Sequence, residues 1–208
     1  TPLYSSAASD VYKRQGMLRL GVMGGTFDPI HLGHLFAAEA AAEHFKLDSV
    51  VFIPAGDPWQ KTTYATAQDR LAMTKLAIGS HSNFQVSTID IDRPGPTYTV
   101  DTLHDLKKLQ PEAELFFITG ADSLAGIGTW KKVEQLWPLA TFVGVSRPGH
   151  ALKAPIHAGA RIELLEIPAL SASSTEIRAK VNSGDSIDDL VPEAVNEYIN
   201  EQNLYQGA

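Results

Sequence analysis

The sequence predicts an α/β protein built on a doubly wound parallel sheet, in one domain that closes with C-terminal helices. Three observations carry this. Short apolar runs alternate with longer amphipathic runs from Leu18 onward, the pattern of a parallel sheet covered on both faces. A Gly-Gly turn joins the first apolar run to an Ala-rich run, which reads as strand, turn, helix. The chain has 208 residues, enough to close one full hydrophobic core.

Taken in order, residues Thr1 to Gly16 are polar and without period, and they precede a Met that would start the chain naturally. They read as a non-native leader, with a disordered extension as the alternative, so the domain is expected over 17–208. Strands are expected over Leu18–Met23, Ser49–Pro54, Phe84–Ile89, Glu114–Thr119, Ala140–Val145 and Arg161–Ile167. Helices are expected over Gly33–Lys46, Gln68–Ser80, Val100–Gln110, Lys131–Leu136, Ser174–Asn182 and Pro192–Gln202. Ser146 to Ala160, with its Pro, Gly and His residues, reads as a loop.

Composition narrows the function classes. There is no cysteine, so disulfides and thiol chemistry are excluded. The formal net charge of −7 argues against a general nucleic-acid or anionic-membrane binder, whose footprint would be basic. It leaves a phosphate substrate open, because local field decides binding there. No apolar run is long enough to span a bilayer, and no signal-peptide pattern precedes Met17, so the cytoplasm is the expected compartment. Oligomeric state is open. The amphipathic segment Pro192 to Tyr205 could pack on a neighbour and build a homo-oligomer.

The chemistry concentrates in Gly24-Gly25-Thr26-Phe27-Asp28-Pro29-Ile30-His31-Leu32-Gly33-His34. Paired glycines let backbone approach a ligand closely. The helix that follows offers free N–H groups and the positive end of its dipole to an anion. His31 and His34 are three residues apart, so both fall on one side of that helix start. The spacing is neither the dinucleotide fingerprint nor the P-loop. Two histidines could be half a metal site, but no third ligand stands out. Asp28 is expected to order the loop, since Asp-Pro is a turn former.

Gly24 to His34 resembles the GGTFDPxHxGH signature of the HxGH nucleotidylyltransferase superfamily. Ser173-Ser174-Thr175-Glu176-Ile177-Arg178 resembles that family's second signature, ISSTxIR, with Ala172 in place of its isoleucine. Pro54 with Trp59-Gln60-Lys61, Pro96-Thr97-Tyr98-Thr99, Gly120-Ala121-Asp122-Ser123-Leu124 and Ser146-Arg147-Pro148-Gly149 are similar to further family segments, in the family's order. Within the superfamily the sequence is most similar to the bacterial nicotinate-nucleotide branch, over roughly Leu18 to Tyr205.

That resemblance implies a Rossmann-like sheet and adenylyl transfer from ATP to nicotinate mononucleotide, with pyrophosphate leaving. Siblings that use nicotinamide mononucleotide, phosphopantetheine or a cytidylyl donor share the same logic. A non-catalytic nucleotide-binding regulator is a further alternative. The attacking phosphate is already an anion, so the protein's work is positioning and charge stabilisation. His31 and His34 are expected to donate to the ATP phosphates, and a phosphate neighbour would push their pKa up toward the charged form. Gly24, Gly25, Thr26 and Phe27 are expected to supply backbone contacts.

Ser173-x-x-Glu176 also matches a capping box. A helix start at Ser173, Ser174 and Thr175 would present N–H groups and hydroxyls to a phosphate, with Arg178 reaching the same oxygens in a fork. An Arg at a helix start is mildly unfavourable with the dipole, which favours a binding role. The resemblance implies that Lys61 binds triphosphate from a mobile loop. Asp122 is expected on the adenosine side, or else as an N-cap for Ser123–Gly126. Thr97, Tyr98 and Trp130 look like the nicotinate pocket. Thr99 reads as an N-cap, and Trp59 and Trp137 as structural. No carboxylate cluster of metal-binding spacing occurs, so Mg²⁺ would arrive with ATP.

Overall fold

The structure, a computed structural model, describes residues 17–149, 153–168 and 172–207. The leader at 1–16 and residues 150–152 of the expected loop lie outside the described residues. Six strands form one sheet: β1 (Leu18–Gly25), β2 (Ser49–Pro54), β3 (Phe84–Val86), β4 (Ala113–Gly120), β5 (Ala140–Ser146) and β6 (Arg161–Glu166). Their order is β3-β2-β1-β4-β5-β6, and every pairing is parallel. This is the doubly wound order, whose ligand crevice lies where the order reverses, outside the carboxyl ends of the central strands. Those ends belong to β1 and β4.

Helices cover both faces. Helix α1 (Leu32–His44) and α2 (Ala67–Ile78) bury Leu35, Ala38, Met73 and Ala77 in a core with Phe52, Phe116 and Val143. On the other face, α4 (Thr99–Leu109) and α5 (Ala121–Ala125) pack Val100, Leu103 and Leu124 against Val22, Ile53 and Phe142. The short α3 (Ile89–Asp92) precedes α4. Helix α6 (Ser174–Ser183) and α7 (Glu193–Glu201) join the first core through Ile177, Val195 and Ile199. The apolar face of the C-terminal segment is thus occupied by its own chain. Tyr198 adds a hydrogen bond to Asp69 of α2 at 2.8 Å.

Three expected elements change. The third strand stops at Val86, because Ile89 opens α3, whose Asp90 turns inward to meet Arg93 and Thr102. The helix expected over Lys131–Leu136 is only a 3₁₀ turn, Val133–Gln135. Its entry residue Lys132 has φ 52°, outside right-handed helical space, so a continuous helix cannot pass through it. The N-cap of α4 is Tyr98, not Thr99, which is the first helical residue. Among the described residues no helix is long and apolar enough to cross a membrane.

Candidate functional site

The carboxyl end of β1 runs into a loop that is fixed from several sides. Phe27 takes φ 52°, a left-handed conformation that a bulky residue adopts only when its surroundings hold it. Its ring is buried against Phe52 at 5.9 Å and meets His34 edge-on at 5.0 Å. Asp28 is 3% exposed. Its carboxylate accepts the N–H of Tyr64 at 2.6 Å and of Ala65 at 3.1 Å, and the hydroxyl of Tyr205 at 2.7 Å. The loop-ordering role expected of Asp28 is therefore what the structure displays, with partners from two distant segments.

His31 and His34 open α1 and lock each other. The Nδ1 of His31 accepts from Gly33 N at 3.0 Å, and the Nδ1 of His34 accepts from His31 N at 3.1 Å. With both Nδ1 atoms used as acceptors, the proton of each neutral ring sits on Nε2, which becomes a fixed donor. The rings stack at 3.8 Å between centroids. Burial pushes the His31 pKa down to about 4. Burial, then the His31 and Lys61 charges, hold His34 well below the usual imidazole range. Both rings are thus held as neutral donors by desolvation, which disfavours a cation there; the rise expected beside a phosphate concerns the substrate-bound site. Gly33 is required by close approach, since a Cβ there would lie 2.8 Å from Cε1 of the His31 ring.

A stability prediction follows. A histidine whose folded pKa lies near 4, against 6.5 unfolded, binds its proton more readily in the unfolded chain. Its contribution is complete above about pH 6.5 and is lost as pH falls toward 4. For His31 alone the loss is about 3 kcal/mol. Urea unfolding at pH 7 and pH 4.5 should therefore show a smaller difference for His31→Asn than for the native chain. Equal differences would contradict the buried neutral imidazole.

The second motif docks on the first. Ser173 caps α6 by accepting from Glu176 N at 3.1 Å. Ser174 donates its hydroxyl to the Pro29 carbonyl at 2.9 Å, so its proton is committed within the protein and its backbone N–H is what remains to offer. Arg178 donates to the Asp28 carbonyl at 2.8 Å and more loosely to Thr175 Oγ1 at 3.4 Å. Its guanidinium lies over the Tyr64 ring, 4.3 Å from the centroid. The Arg at a helix start is thus paired with a carbonyl of the loop after β1.

On the other side of Gly24–Thr26 opens a cleft of about 160 Å³. Lys61, Thr97, Tyr98, Trp130 and Lys131 line it together with Phe117 and Thr119 of β4. Thr97 Oγ1 accepts from Gly56 N at 3.1 Å and from Asp57 N at 3.4 Å, so this hydroxyl first shapes the wall of the cleft. Gly56 admits no side chain, because a Cβ would lie 2.5 Å from the Asp90 carbonyl oxygen. Trp130 packs edge-on to Phe117 at 5.9 Å. Two expectations change here. Trp59 is not a structural residue: it is 46% exposed, lines the cleft and lies 5.6 Å from the Tyr98 ring. Asp122 is not an N-cap: Gly120 caps α5, and Asp122 is an exposed residue inside its first turn. Its neighbour Ser123 reaches the cleft instead. Trp137 is structural as expected, stacking on His157 at 5.2 Å and meeting Phe142 edge-on.

Two residues escaped the sequence reading. Arg70, on α2, is 1% exposed. It donates to the carbonyls of Thr26, Ala55, Gly56 and Ala65 at 2.6–3.3 Å. It ties the loop after β1 to the loop after β2. An Arg inside an amphipathic helix carries no sequence mark of this, since Arg is usually exposed. Lys131 lies beside Trp130 and places its Nζ 3.9 Å from the centroid of Tyr98. Among the described residues no group of three or more His, Asp or Glu side chains could hold a metal ion.

A doubly wound sheet with a fixed, donor-rich loop at its switch point and an aromatic cleft beside it defines a nucleotide-binding α/β protein. Comparison makes this specific: the chain belongs to the cytidylyltransferase-like family, whose profile matches residues 22–180. A relative from Leifsonia xyli subsp. xyli, named "Probable nicotinate-nucleotide adenylyltransferase", is 55% identical over 188 residues, covering 90% of this chain and 94% of its own length. One of the same name from Streptomyces coelicolor is 55% identical over 187 residues, covering 89% of this chain and all of its own. Among solved structures, Plasmodium falciparum nicotinic acid mononucleotide adenylyltransferase complexed with NaAD shares the fold at TM-score 0.73 and 24% identity, covering 90% of this chain and 97% of that one.

Proposed function

We infer that the chain is an enzyme that transfers the adenylyl group of ATP to nicotinate mononucleotide, giving nicotinate adenine dinucleotide and pyrophosphate in NAD biosynthesis. The observation that carries this reading is the junction at Gly24–Thr26. There the loop bearing two fixed imidazole donors meets a cleft with aromatic walls, one side suited to phosphates and the other to a planar ring. The names of the 55% identical relatives support the same activity.

In this mechanism the mononucleotide phosphate oxygen attacks the α-phosphorus of ATP, the bond to the bridging oxygen breaks, and pyrophosphate carries the charge away. No general base is needed. The Nε2–H groups of His31 and His34, the backbone of Gly24 to Phe27 and the N-terminus of α6 at Ser173–Thr175 would hold the triphosphate. Arg178 and Lys61 would bring positive charge to the leaving group, and Asp122 would lie toward the adenosine. Thr97, Tyr98 and Trp130 would hold the pyridine ring. Mg²⁺ would enter with ATP as part of the substrate, neutralising phosphate charge. The reading makes residues 17–208 one nucleotidylyltransferase domain, working in the cytoplasm on small molecules, with neither nucleic acid nor membrane as partner.

The test is pyrophosphate release from Mg²⁺-ATP with nicotinate mononucleotide, nicotinamide mononucleotide or phosphopantetheine as acceptor. Fast turnover with the first and little with the others is the expected result. Turnover only with phosphopantetheine would keep the phosphate chemistry and overturn the ring pocket. Silence with all three from a folded chain that binds ATP would overturn the reading.

A further inference from the structure

The aromatic cleft has an unequal charge distribution. Asp90, the one carboxylate that lines it, is 3% exposed and already answered. Arg93 donates to Asp90 at 2.7 Å, and Thr102 donates to both of its oxygens at 2.8 Å. Arg93 in turn is held by Asp105 at 2.5 Å. The carboxylate is thus consumed within the wall. Two lysines also line the cleft, Lys61 and Lys131, and neither forms an ion pair among the described residues.

The two lysines differ in their surroundings. Lys61 sits on the loop after β2, and its charge reaches His34, so it belongs to the phosphate side. Lys131 follows Trp130, and its Nζ is 3.9 Å from the centroid of Tyr98. Tyr98 in turn has Trp59 at 5.6 Å. Lys131 therefore presents an ammonium at the faces where a planar aromatic ring would stack. A cation over an aromatic face is held only weakly at an exposed site. It can leave that face for a carboxylate, which offers a charge-assisted hydrogen bond.

We propose that Lys131 is a specificity-determining residue: its ammonium recognises a carboxylate on the aromatic ring of the acceptor and so favours a nicotinate over a nicotinamide ring. The proposal rests on the adenylyltransferase reading above. The chemistry is that of discrimination by one charge. A neutral amide on the ring would gain nothing from the ammonium, whereas a carboxylate on a ring held in the cleft would meet a cation that forms no ion pair among the described residues. Sequence reading did not reach this residue, because a lysine is ordinarily solvated and carries no mark of its neighbours in the fold.

The test compares kcat and KM for nicotinate and nicotinamide mononucleotides in the native enzyme, Lys131→Met and Lys131→Arg. The methionine keeps the apolar stem and removes the charge. Its ratio of kcat/KM between the two acceptors should fall about tenfold, the size of one charge-assisted contact at a partly exposed site, and the loss should lie in KM for nicotinate mononucleotide. Lys131→Arg should retain most of the preference. An unchanged ratio in Lys131→Met would overturn the proposal. So would an equal loss against both acceptors, which would place the ammonium on the phosphate they share. If the native enzyme turns over neither mononucleotide, the adenylyltransferase reading itself fails and takes this inference with it.

Discussion

Replacing His34 with alanine is expected to lower kcat by about 10²–10³ or more, the usual cost of removing one fixed donor from a site where charge develops. The structure sharpens the reason. His34 cannot rotate freely, because its Nδ1 holds the His31 N–H at 3.1 Å and its ring is bracketed by His31 and Phe27. The Nε2–H therefore points at one place before substrate arrives, and no reorganisation is needed during reaction. The alanine variant also strands the His31 N–H, so it combines a chemical loss with a structural one. His34→Asn separates them: its amide can still accept from His31 N, but it lacks the Nε2 donor. Both variants should lose kcat by comparable factors while thermal unfolding moves by only a few degrees. Near-normal kcat in His34→Asn would show that the locked imidazole is a cap and nothing more.

Replacing Arg70 with methionine should produce the largest loss of stability. The side chain is 1% exposed and satisfies four carbonyls, those of Thr26, Ala55, Gly56 and Ala65. Each carbonyl left buried and unpaired costs about 1–3 kcal/mol, tempered by local relaxation and water entry. A total of about 3–5 kcal/mol is expected, within reach of the whole stability of an ordinary domain. Lysine should not rescue it, because one ammonium cannot span four acceptors arranged for a planar fork. Activity should fall with stability, since Thr26 and Ala55, two of the residues whose carbonyls Arg70 holds, line the cleft. Denaturant unfolding of Arg70→Met and Arg70→Lys measures this. A cost below about 1 kcal/mol would mean that water replaces the guanidinium, and that the two loops do not depend on it.

Much of the loop after β1 could be read in order along the chain. The glycine pair, the two histidines and their helix are neighbours in sequence, and short-range geometry places them on one side of a helix start. Asp28 was legible as a loop former for the same reason. The desolvation that lowers both histidine pKa values was not legible, because burial and the stacked partner ring are products of packing. Trp59 was misread for a related reason: a tryptophan is ordinarily core, and only the fold shows that this one faces the cleft.

By itself the sequence determined the alternation of strands and helices, the glycine turn after the first strand, and the two signatures at opposite ends of the chain. These are local properties: backbone freedom, hydrophobic period and capping act within a few residues. Only the tertiary structure decided that Ser174 and Arg178 bind the carbonyls of Pro29 and Asp28, some 145–150 residues away. It also decided that Tyr205 meets Asp28, that Arg70 stitches two loops, and that Lys131 lies over Tyr98. Such contacts depend on strand order and on the direction of buried side chains, which no local pattern encodes. Four of these groups converge on the loop after β1 and Lys131 on the cleft that the same loop lines, an arrangement that exists only in the folded chain.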